Sequence, residues 1–253
     1  MATKNLVRNS RSAVVYIPFA ALLVVFLLIF GIGAFFRVLY YEVEGASRYT
    51  EQEIIKASGI AIGDSLIFLD TDKAAQFVIS ELPYILEVRI TSNLPDTLRF
   101  EVKEVDAFAA VAYGDGYVVL DSIGRELERT TGVPHGLVEL RGFTPLNPVK
   151  GEKIKVSSAD GTKLQYALEV MGEAEKRNMQ QKISYLDVSN IANITIGYAD
   201  KYRIVLGSTT NITSKMGDVL AFAAERESSD RADATGTYNM SDTTGGGIWS
   251  PDR

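Results

Sequence analysis

The sequence predicts an α+β protein with a single N-terminal transmembrane helix, a β-α-α-β-β domain, and then a mixed β domain with flanking helices. Three observations lead to this prediction. One segment has no charged residue, the next alternates between strand and helix patterns, and the third has several short strand patterns separated by turns. The expected boundaries are a cytoplasmic tail at 1–11, the transmembrane helix at 12–36, two outer domains at 37–104 and 105–241, and a flexible C-terminal end at 242–253.

The uncharged segment from Ser12 to Phe36 is long enough to cross a membrane. As a helix its 25 residues extend about 37 Å, against ~30 Å of bilayer hydrocarbon. Lys4, Arg8 and Arg11 precede it without any acidic residue, whereas the following flank mixes both signs, so the positive-inside rule predicts a cytoplasmic N-terminus. A cleaved signal peptide is the alternative, but the apolar run exceeds the usual ~7–15 residues and no clean small-residue cleavage pattern follows it.

Two helices are predicted in the first outer domain, each marked by a capping residue. Thr50 and Glu53 form the T-x-x-E pattern of a capping box, and Gly59 is the expected stop of this helix. Asp70 is the expected N-cap of the second helix, which ends before Pro83. The second helix should bury three apolar residues, Ala74, Phe77 and Val78.

Three strands accompany these helices. Apolar and polar residues alternate at 39–43, 88–90 and 98–102. The last two segments are separated by the turn sequence Asn93-Leu94-Pro95-Asp96, which predicts a hairpin with one face packed on the helices.

The second outer domain is predicted from further strand, turn and helix patterns. Tyr238 and Met240 should share one face of its last strand, and Asp121 with Gly124 marks a turn. The predicted strands are 116–120, 136–142, 183–188, 194–198, 202–206 and 234–241, and the predicted helices are 159–177 and 215–226.

Composition and motifs argue against catalysis and against nucleic-acid binding. The 26 Lys and Arg residues are outnumbered by 32 Asp and Glu residues, and the net charge of −6 disfavours phosphate neutralisation. With no Cys and His135 as the single histidine, thiolate nucleophiles and the usual zinc sites are excluded. The S-x-x-K, G-x-S-x-G, H-E-x-x-H and glycine-rich phosphate-loop motifs are absent. We therefore expect no enzyme activity, no cofactor, no metal, no nucleic-acid partner and no small-molecule substrate.

Several short segments share their order and spacing with a known family. In the first outer domain they are Val43-Glu44-Gly45, Gly63-Asp64-Ser65-Leu66, Leu82-Pro83-Tyr84-Ile85 and Leu94-Pro95-Asp96-Thr97-Leu98, and in the second Leu186-Asp187-Val188-Ser189 and Val205-Leu206-Gly207. Together, behind a membrane anchor, they resemble the POTRA domain and the β domain of the FtsQ/DivIB family of bacterial cell-division proteins. Val105 and Ala107 depart from the Arg and Pro that the family often has at the domain junction.

This resemblance implies a non-enzymatic scaffold in the cell membrane. Such a protein would bind other division proteins outside the cytoplasmic membrane, among them small bitopic proteins of the FtsB/DivIC and FtsL type, to assemble septal wall synthesis. The last strand is expected to end a sheet, where unpaired N–H and C=O groups can accept a partner's strand. The candidate partner-binding residues are Thr237, Tyr238, Asn239, Met240 and Lys215, with Tyr238 as the anchor.

Two other functions are compatible with part of the pattern. A POTRA-bearing component of a transport or secretion assembly would normally need a downstream membrane barrel, for which the chain has no room. A wall-modifying enzyme is the third possibility, and the missing catalytic motifs disfavour it.

Overall fold

The computed structural model describes residues 11–228, 234–241 and 247–252. The predicted cytoplasmic tail at 1–11 lies outside these residues apart from Arg11, and so do residues 242–246 of the predicted flexible end. The chain folds as two units, Met1–Val78 with Glu87–Lys103 and Ile79–Leu86 with Glu104–Arg253.

A helix of 25 residues, α1 (Arg11–Phe35), covers most of the predicted transmembrane span. Its described apolar side chains are exposed; Phe19 and Leu22, for example, are each 70% exposed. Among the residues whose side chains the structure describes, no helix combines the length and apolarity needed to cross a membrane.

After α1 the chain forms the predicted order of strand, helix, helix, strand and strand. These elements are β1 (Tyr40–Glu44), α2 (Glu51–Ser58), α3 (Thr71–Glu81), β2 (Ile85–Asn93) and β3 (Thr97–Glu104). In the three-stranded sheet β3 lies between β1 and β2, and β1 runs parallel to β3 with Val43 opposite Phe100. Strands β2 and β3, which the sequence predicts to form a hairpin, are therefore adjacent in the sheet.

The core of the first unit contains apolar residues from both helices and from β2 and β3. They are Ile54, Ala74, Val78, Val88, Ile90, Leu98, Phe100 and Val102. Phe77, which the sequence predicts to be buried, is instead 48% exposed, with Lys73 Nζ 5.7 Å from its ring centroid. Because 3.6 residues complete a helical turn, Phe77 lies roughly 80° around α3 from the direction shared by Ala74 and Val78.

The predicted caps of both helices are confirmed. Thr50 Oγ1 accepts from the Glu53 N–H at 3.3 Å, and the Thr50 N–H donates to Glu53 Oε2 at 2.8 Å. Gly59 ends α2 with a left-handed φ of 70°. At α3 the Lys73 N–H donates to Asp70 Oδ1 at 3.0 Å. Hydrogen bonds from the Thr50 backbone N–H and hydroxyl hold the pKa of Glu53 below its usual value.

Replacing Thr50 with alanine should lower the stability of α2 by about 1 kcal/mol at neutral pH, because the cap of the Glu53 N–H is lost. The folded-state pKa of Glu53 lies below its unfolded value, so its contribution is present at neutral pH and is lost as the pH falls through the folded pKa. Hydrogen exchange of the α2 amides in the full chain measures the effect. A Thr50→Ser control should keep the protection, and equal protection in all three proteins would contradict this account.

In the described part of the chain the second unit contains a nine-stranded sheet of order β12-β11-β10-β9-β8-β7-β4-β5-β6. The pairs β4–β7, β7–β8 and β10–β11 are parallel and the others are antiparallel. Its strands are β4 (Ala109–Tyr113), β5 (Gly116–Leu120), β6 (Glu126–Thr130), β7 (Val138–Arg141), β8 (Ile183–Asp187), β9 (Ile194–Tyr198), β10 (Tyr202–Gly207), β11 (Gly236–Asn239) and β12 (Ile248–Pro251). Three of them, β4, β6 and β12, are absent from the sequence prediction.

Two long helices complete the second unit, α4 (Gly161–Lys176) and α5 (Ile212–Glu227), together with a short 3₁₀ helix at Gln180–Lys182. Each helix buries an apolar stripe in the same hydrophobic cluster as the sheet. The buried residues are Ala167, Val170, Met171 and Ala174 in α4, and Met216, Val219, Phe222 and Ala223 in α5. Helix α5 packs against β10, which places it beside the end of the sheet that contains β11 and β12.

Candidate partner-binding edge

The candidate site lies where β10, β11 and β12 end the nine-stranded sheet. Thr237, Tyr238 and Asn239 are in β11, and Met240 follows directly. Strand β11 runs parallel to β10, with Tyr238 opposite Ile204. The structure therefore places three of the five predicted residues in β11 and a fourth, Met240, directly after it.

The expectation that β11 has a free edge is wrong. Residues Ile248–Pro251, which belong to the predicted flexible end, form β12 and pair antiparallel with β11, so that Tyr238 lies opposite Trp249. The prediction failed because a four-residue strand has too few residues to produce a recognisable alternation. The signal that could have revealed it is Trp249, the single tryptophan of the sequence, because such a large side chain is rarely left in solvent.

Alternate residues of β11 make backbone hydrogen bonds to its two neighbouring strands. The Gly236 N–H donates to the carbonyl of Lys201, directly before β10, at 3.3 Å, and the Met240 N–H donates to Val205 O of β10 at 2.8 Å. Since the backbone groups of successive residues in a strand point to opposite sides, Thr237 and Asn239 direct their N–H and C=O groups toward β12. In the register of the pair, Thr237 lies opposite Ser250 and Asn239 lies opposite Ile248.

Tyr238 is a core residue rather than an exposed anchor. It is 8% exposed, and its ring stacks on Phe222 with the centroids 4.1 Å apart and the planes 5° from parallel. The Tyr238 hydroxyl accepts from the Gly247 N–H at 2.9 Å. Truncating Tyr238 would therefore disturb the packing of the sheet end, so this substitution cannot isolate partner binding from folding.

Trp249 covers the same aromatic cluster from β12. Its ring centroid lies 5.7 Å from that of Tyr202 and 5.2 Å from that of Phe222. The Arg226 guanidinium of α5 lies 4.6 Å from the Trp249 ring centroid, within the range of a cation–π contact. A groove of about 290 Å³ lies beside this cluster, between α5 and the strands β11 and β12, and both acidic and basic residues line it. The contacts of β12 with the rest of the unit thus depend largely on Trp249.

The remaining predicted residues have different roles. Met240 is 1% exposed and belongs to the core, whereas Asn239 is exposed and its Oδ1 accepts from the Ser241 N–H at 2.9 Å. Lys215 lies in α5, where its Nζ donates to the carbonyls of Leu206 and Ser208 at 2.7 and 2.9 Å. Burial lowers the pKa of Lys215. Its ammonium group therefore ties the end of β10 to α5 rather than pointing toward a partner.

No group of three or more potential metal-ligating side chains is found in the described part of the chain. His135 is exposed in the loop before β7. The groups that the sheet end can use for binding are therefore the backbone N–H and C=O groups of its edge, next to an aromatic cluster.

Comparison with known proteins finds one matching domain and several similar proteins. Residues 36–104 match the model of the FtsQ-type POTRA domain. The chain is 27% identical over 187 residues to the cell division protein DivIB of Clostridium acetobutylicum, which covers 74% of this chain and 73% of that protein. It is 28% identical over 188 residues to DivIB of Clostridium botulinum strain Loch Maree, covering 74% and 72%.

A relative named FtsQ is also similar. The cell division protein FtsQ of Corynebacterium glutamicum is 33% identical over 123 residues, which is 47% of this chain and 54% of that protein. The resemblance predicted from the sequence motifs is thus confirmed: the chain is similar to bacterial cell-division proteins named DivIB and FtsQ, and residues 36–104 match the FtsQ-type POTRA domain.

Proposed function

We propose that this protein is a scaffold of the bacterial division machinery, which α1 holds in the cytoplasmic membrane with residues 1–11 in the cytoplasm and the two outer domains, 37–104 and 105–241, outside. It binds other division proteins, among them small bitopic proteins of the FtsB/DivIC and FtsL type, at the β11–β12 end of the sheet. The observation on which this proposal rests is the pairing of β11 with a four-residue strand of the same chain. A partner's strand takes the place of that short strand.

The role in division follows from the family, whose members are membrane-associated and non-enzymatic. The prediction that this chain is not an enzyme is therefore confirmed. The binding of particular division proteins is the part that we propose.

The membrane anchor is supported by the sequence of α1 and by the surface that it presents. Beyond Arg11 the helix contains no charged residue. Described side chains such as Phe19, Leu22 and Phe26 are 61–70% exposed, and apolar surface of this kind is favourable in hydrocarbon but unfavourable in water. The basic residues before α1 orient it with the N-terminus inside.

The outer edge of β12 is poorly suited to pairing with a further strand. The Asp252 N–H donates to Thr235 O at 3.0 Å, so Trp249 and Pro251 direct their backbone groups away from β11. Pro251 has no N–H, which leaves Trp249 as the donor on that side of β12. A proline on an edge strand is a common protection against added strands. A partner therefore pairs more favourably with β11.

The inner edge, that of β11, can exchange one strand for another. Strand β12 has four residues, and its Ile248 is 70% exposed. The burial of Trp249 therefore supplies much of the free energy that keeps β12 paired with β11. A partner's strand of greater length can make the same backbone hydrogen bonds to Thr237 and Asn239 and extend past them. The strand of the same chain then acts as a competitor that the partner must displace.

Two variants test this exchange in the full chain, with purified partners of the FtsB/DivIC and FtsL type from the same organism. Deleting residues 247–253 should preserve or strengthen partner affinity, because the competing strand is gone. Thr237→Pro should weaken affinity at least tenfold, because proline removes an N–H that points to the exchanged strand. Thr237→Val is the matched control, since it changes the same side chain and keeps the N–H. Partner affinity is measured by calorimetry and folding by thermal melting.

Two results would contradict the proposal. Loss of partner binding after a deletion that leaves the melting transition intact would place the partner on β12 or on the residues after it. Unchanged affinity of a folded Thr237→Pro protein would exclude the edge of β11 as the binding site.

A further inference from the structure

One end of the first unit presents a cluster of exposed apolar side chains, which we call the apolar rim. Beyond α1, the described residues of this unit include seven strongly exposed large apolar side chains, and six of them are in the rim. Their exposed fractions lie between 43% and 67%. The rim consists of Leu39, Tyr40, Ile62, Ile67, Phe68 and Leu94.

Hydrogen bonds join the loop 60–68 to the residues that directly follow α1. The Leu66 N–H donates to Phe36 O at 3.0 Å, the Val38 N–H donates to Asp64 O at 2.9 Å, and the Gly63 N–H donates to Val38 O at 2.8 Å. Ile62, Ile67 and Phe68 are therefore within two residues of backbone groups that are fixed to Phe36 and Val38.

A second loop is fixed at the same place. The N–H groups of Leu39 and Tyr40 donate to Asp96 O at 2.8 and 3.2 Å, which brings the turn that contains Leu94 to the start of β1. The Ser92 hydroxyl donates to Leu66 O at 2.9 Å and connects the two loops. Three separate segments of the chain thus place their exposed apolar residues at one end of the unit.

We propose that the apolar rim inserts into the outer interface of the bilayer and docks the first unit on the membrane surface. This inference rests on the proposed function, in which α1 spans the bilayer. The helix ends at Phe35, so the backbone at 36–40 emerges at the interface. Ile67 and Phe68 follow Leu66, which is bonded to Phe36, by one and two residues, a reach of less than about 8 Å, and interfacial apolar side chains are buried about 5–10 Å deep. This part of the rim therefore lies at the interface.

The bilayer is favoured over a protein partner by the position of the rim beside the helix end. The charges at the rim disfavour attraction to anionic lipid as the main force, since Asp64 and Asp96 lie in these two loops and Asp70 lies two residues after the first. Arg37 donates from Nη1 to Gly63 O at 3.0 Å. Docking is therefore driven by apolar burial and should occur on zwitterionic phosphatidylcholine.

Depth-dependent quenching in phosphatidylcholine proteoliposomes tests the proposal with the full chain. The chain contains no cysteine, so each single-cysteine variant takes one environment-sensitive fluorophore. The test positions are Ile62→Cys and Phe68→Cys, both exposed, so folding should be preserved. Lys103→Cys is the matched control, because it is exposed in the same unit about 20 Å along β3 from Thr97. Leu23→Cys in α1 is the reference for the span.

Lipid with a spin label near the headgroup should quench the fluorophores at 62 and 68 at least twofold more than the one at 103. Equal, weak quenching at 62, 68 and 103 with strong quenching at 23 would overturn the docking and leave the membrane span in place. A blue-shifted but unquenched signal at 62 and 68 would mean that protein, such as a second copy, covers the rim. Absence of quenching at 23 would overturn the proposed span and the docking with it.

Discussion

Replacing Phe100 with alanine is expected to lower the free energy of unfolding of the first unit by about 3–5 kcal/mol. Phe100 is fully buried in β3, the central strand of the three-stranded sheet, and its ring centroid lies 6.3 Å from that of Tyr41. Removing the ring loses its burial and leaves a cavity that the two flanking strands cannot close. Since whole domains are stable by only about 5–15 kcal/mol, this loss would bring the unit close to unfolding.

Native-state hydrogen exchange of the β2 and β3 amides in the full chain measures this loss. Phe77→Ala is the matched control, because it removes the same ring from a half-exposed position of the same unit, and it should cost less than about 1 kcal/mol. Equal losses for the two variants would mean that the core assigned to Phe100 is wrong.

Replacing Asp121 with alanine is expected to destabilise the second unit by about 3–5 kcal/mol, because it leaves the charge of Arg125 buried without its partner. Asp121 is 1% exposed and Arg125 is 7% exposed, and Arg125 Nε donates to Asp121 Oδ2 at 2.8 Å. The other carboxylate oxygen, Oδ1, accepts from the backbone N–H groups of Ile123 at 3.1 Å and Arg125 at 2.8 Å. One carboxylate therefore accepts both from the turn N–H groups and from Nε of the buried guanidinium.

A second substitution separates these two contributions. Arg125→Met keeps an apolar stem of similar length and removes the charge, so the double variant with Asp121→Ala should be more stable than Asp121→Ala alone. The fluorescence of Trp249, which lies in the second unit, follows unfolding by denaturant. A double variant whose loss is simply the sum of the two single losses would contradict the buried-pair account.

The sequence alone determined the elements whose signals are local. The Thr50–Glu53 capping box and the Asp70 cap each depend on residues three apart, and the structure contains both. The alternation of Leu98, Phe100 and Val102 identified buried positions of β3 correctly. These predictions succeed because the responsible hydrogen bonds or faces are set within a few residues of the chain.

The candidate site could be predicted only in part, since it depends on which strand lies beside which. Tyr238 and Met240 share a face, as their spacing requires, but that face is the core. Residues two positions apart in a strand lie on the same face of the sheet. Whether that face is exposed or buried depends on whether a helix covers it, as α5 does here with Phe222.

Tertiary structure alone decided the two surfaces on which the proposals rest. Strand β12 exists because the edge of β11 supplies backbone partners and because Tyr202, Phe222 and Arg226, far from it in sequence, surround Trp249. The apolar rim likewise assembles from segments around residues 39, 62–68 and 94. Local patterns fix which side chains share a face, but pairing at an edge and the clustering of exposed residues depend on contacts between distant segments, which no period in the sequence encodes.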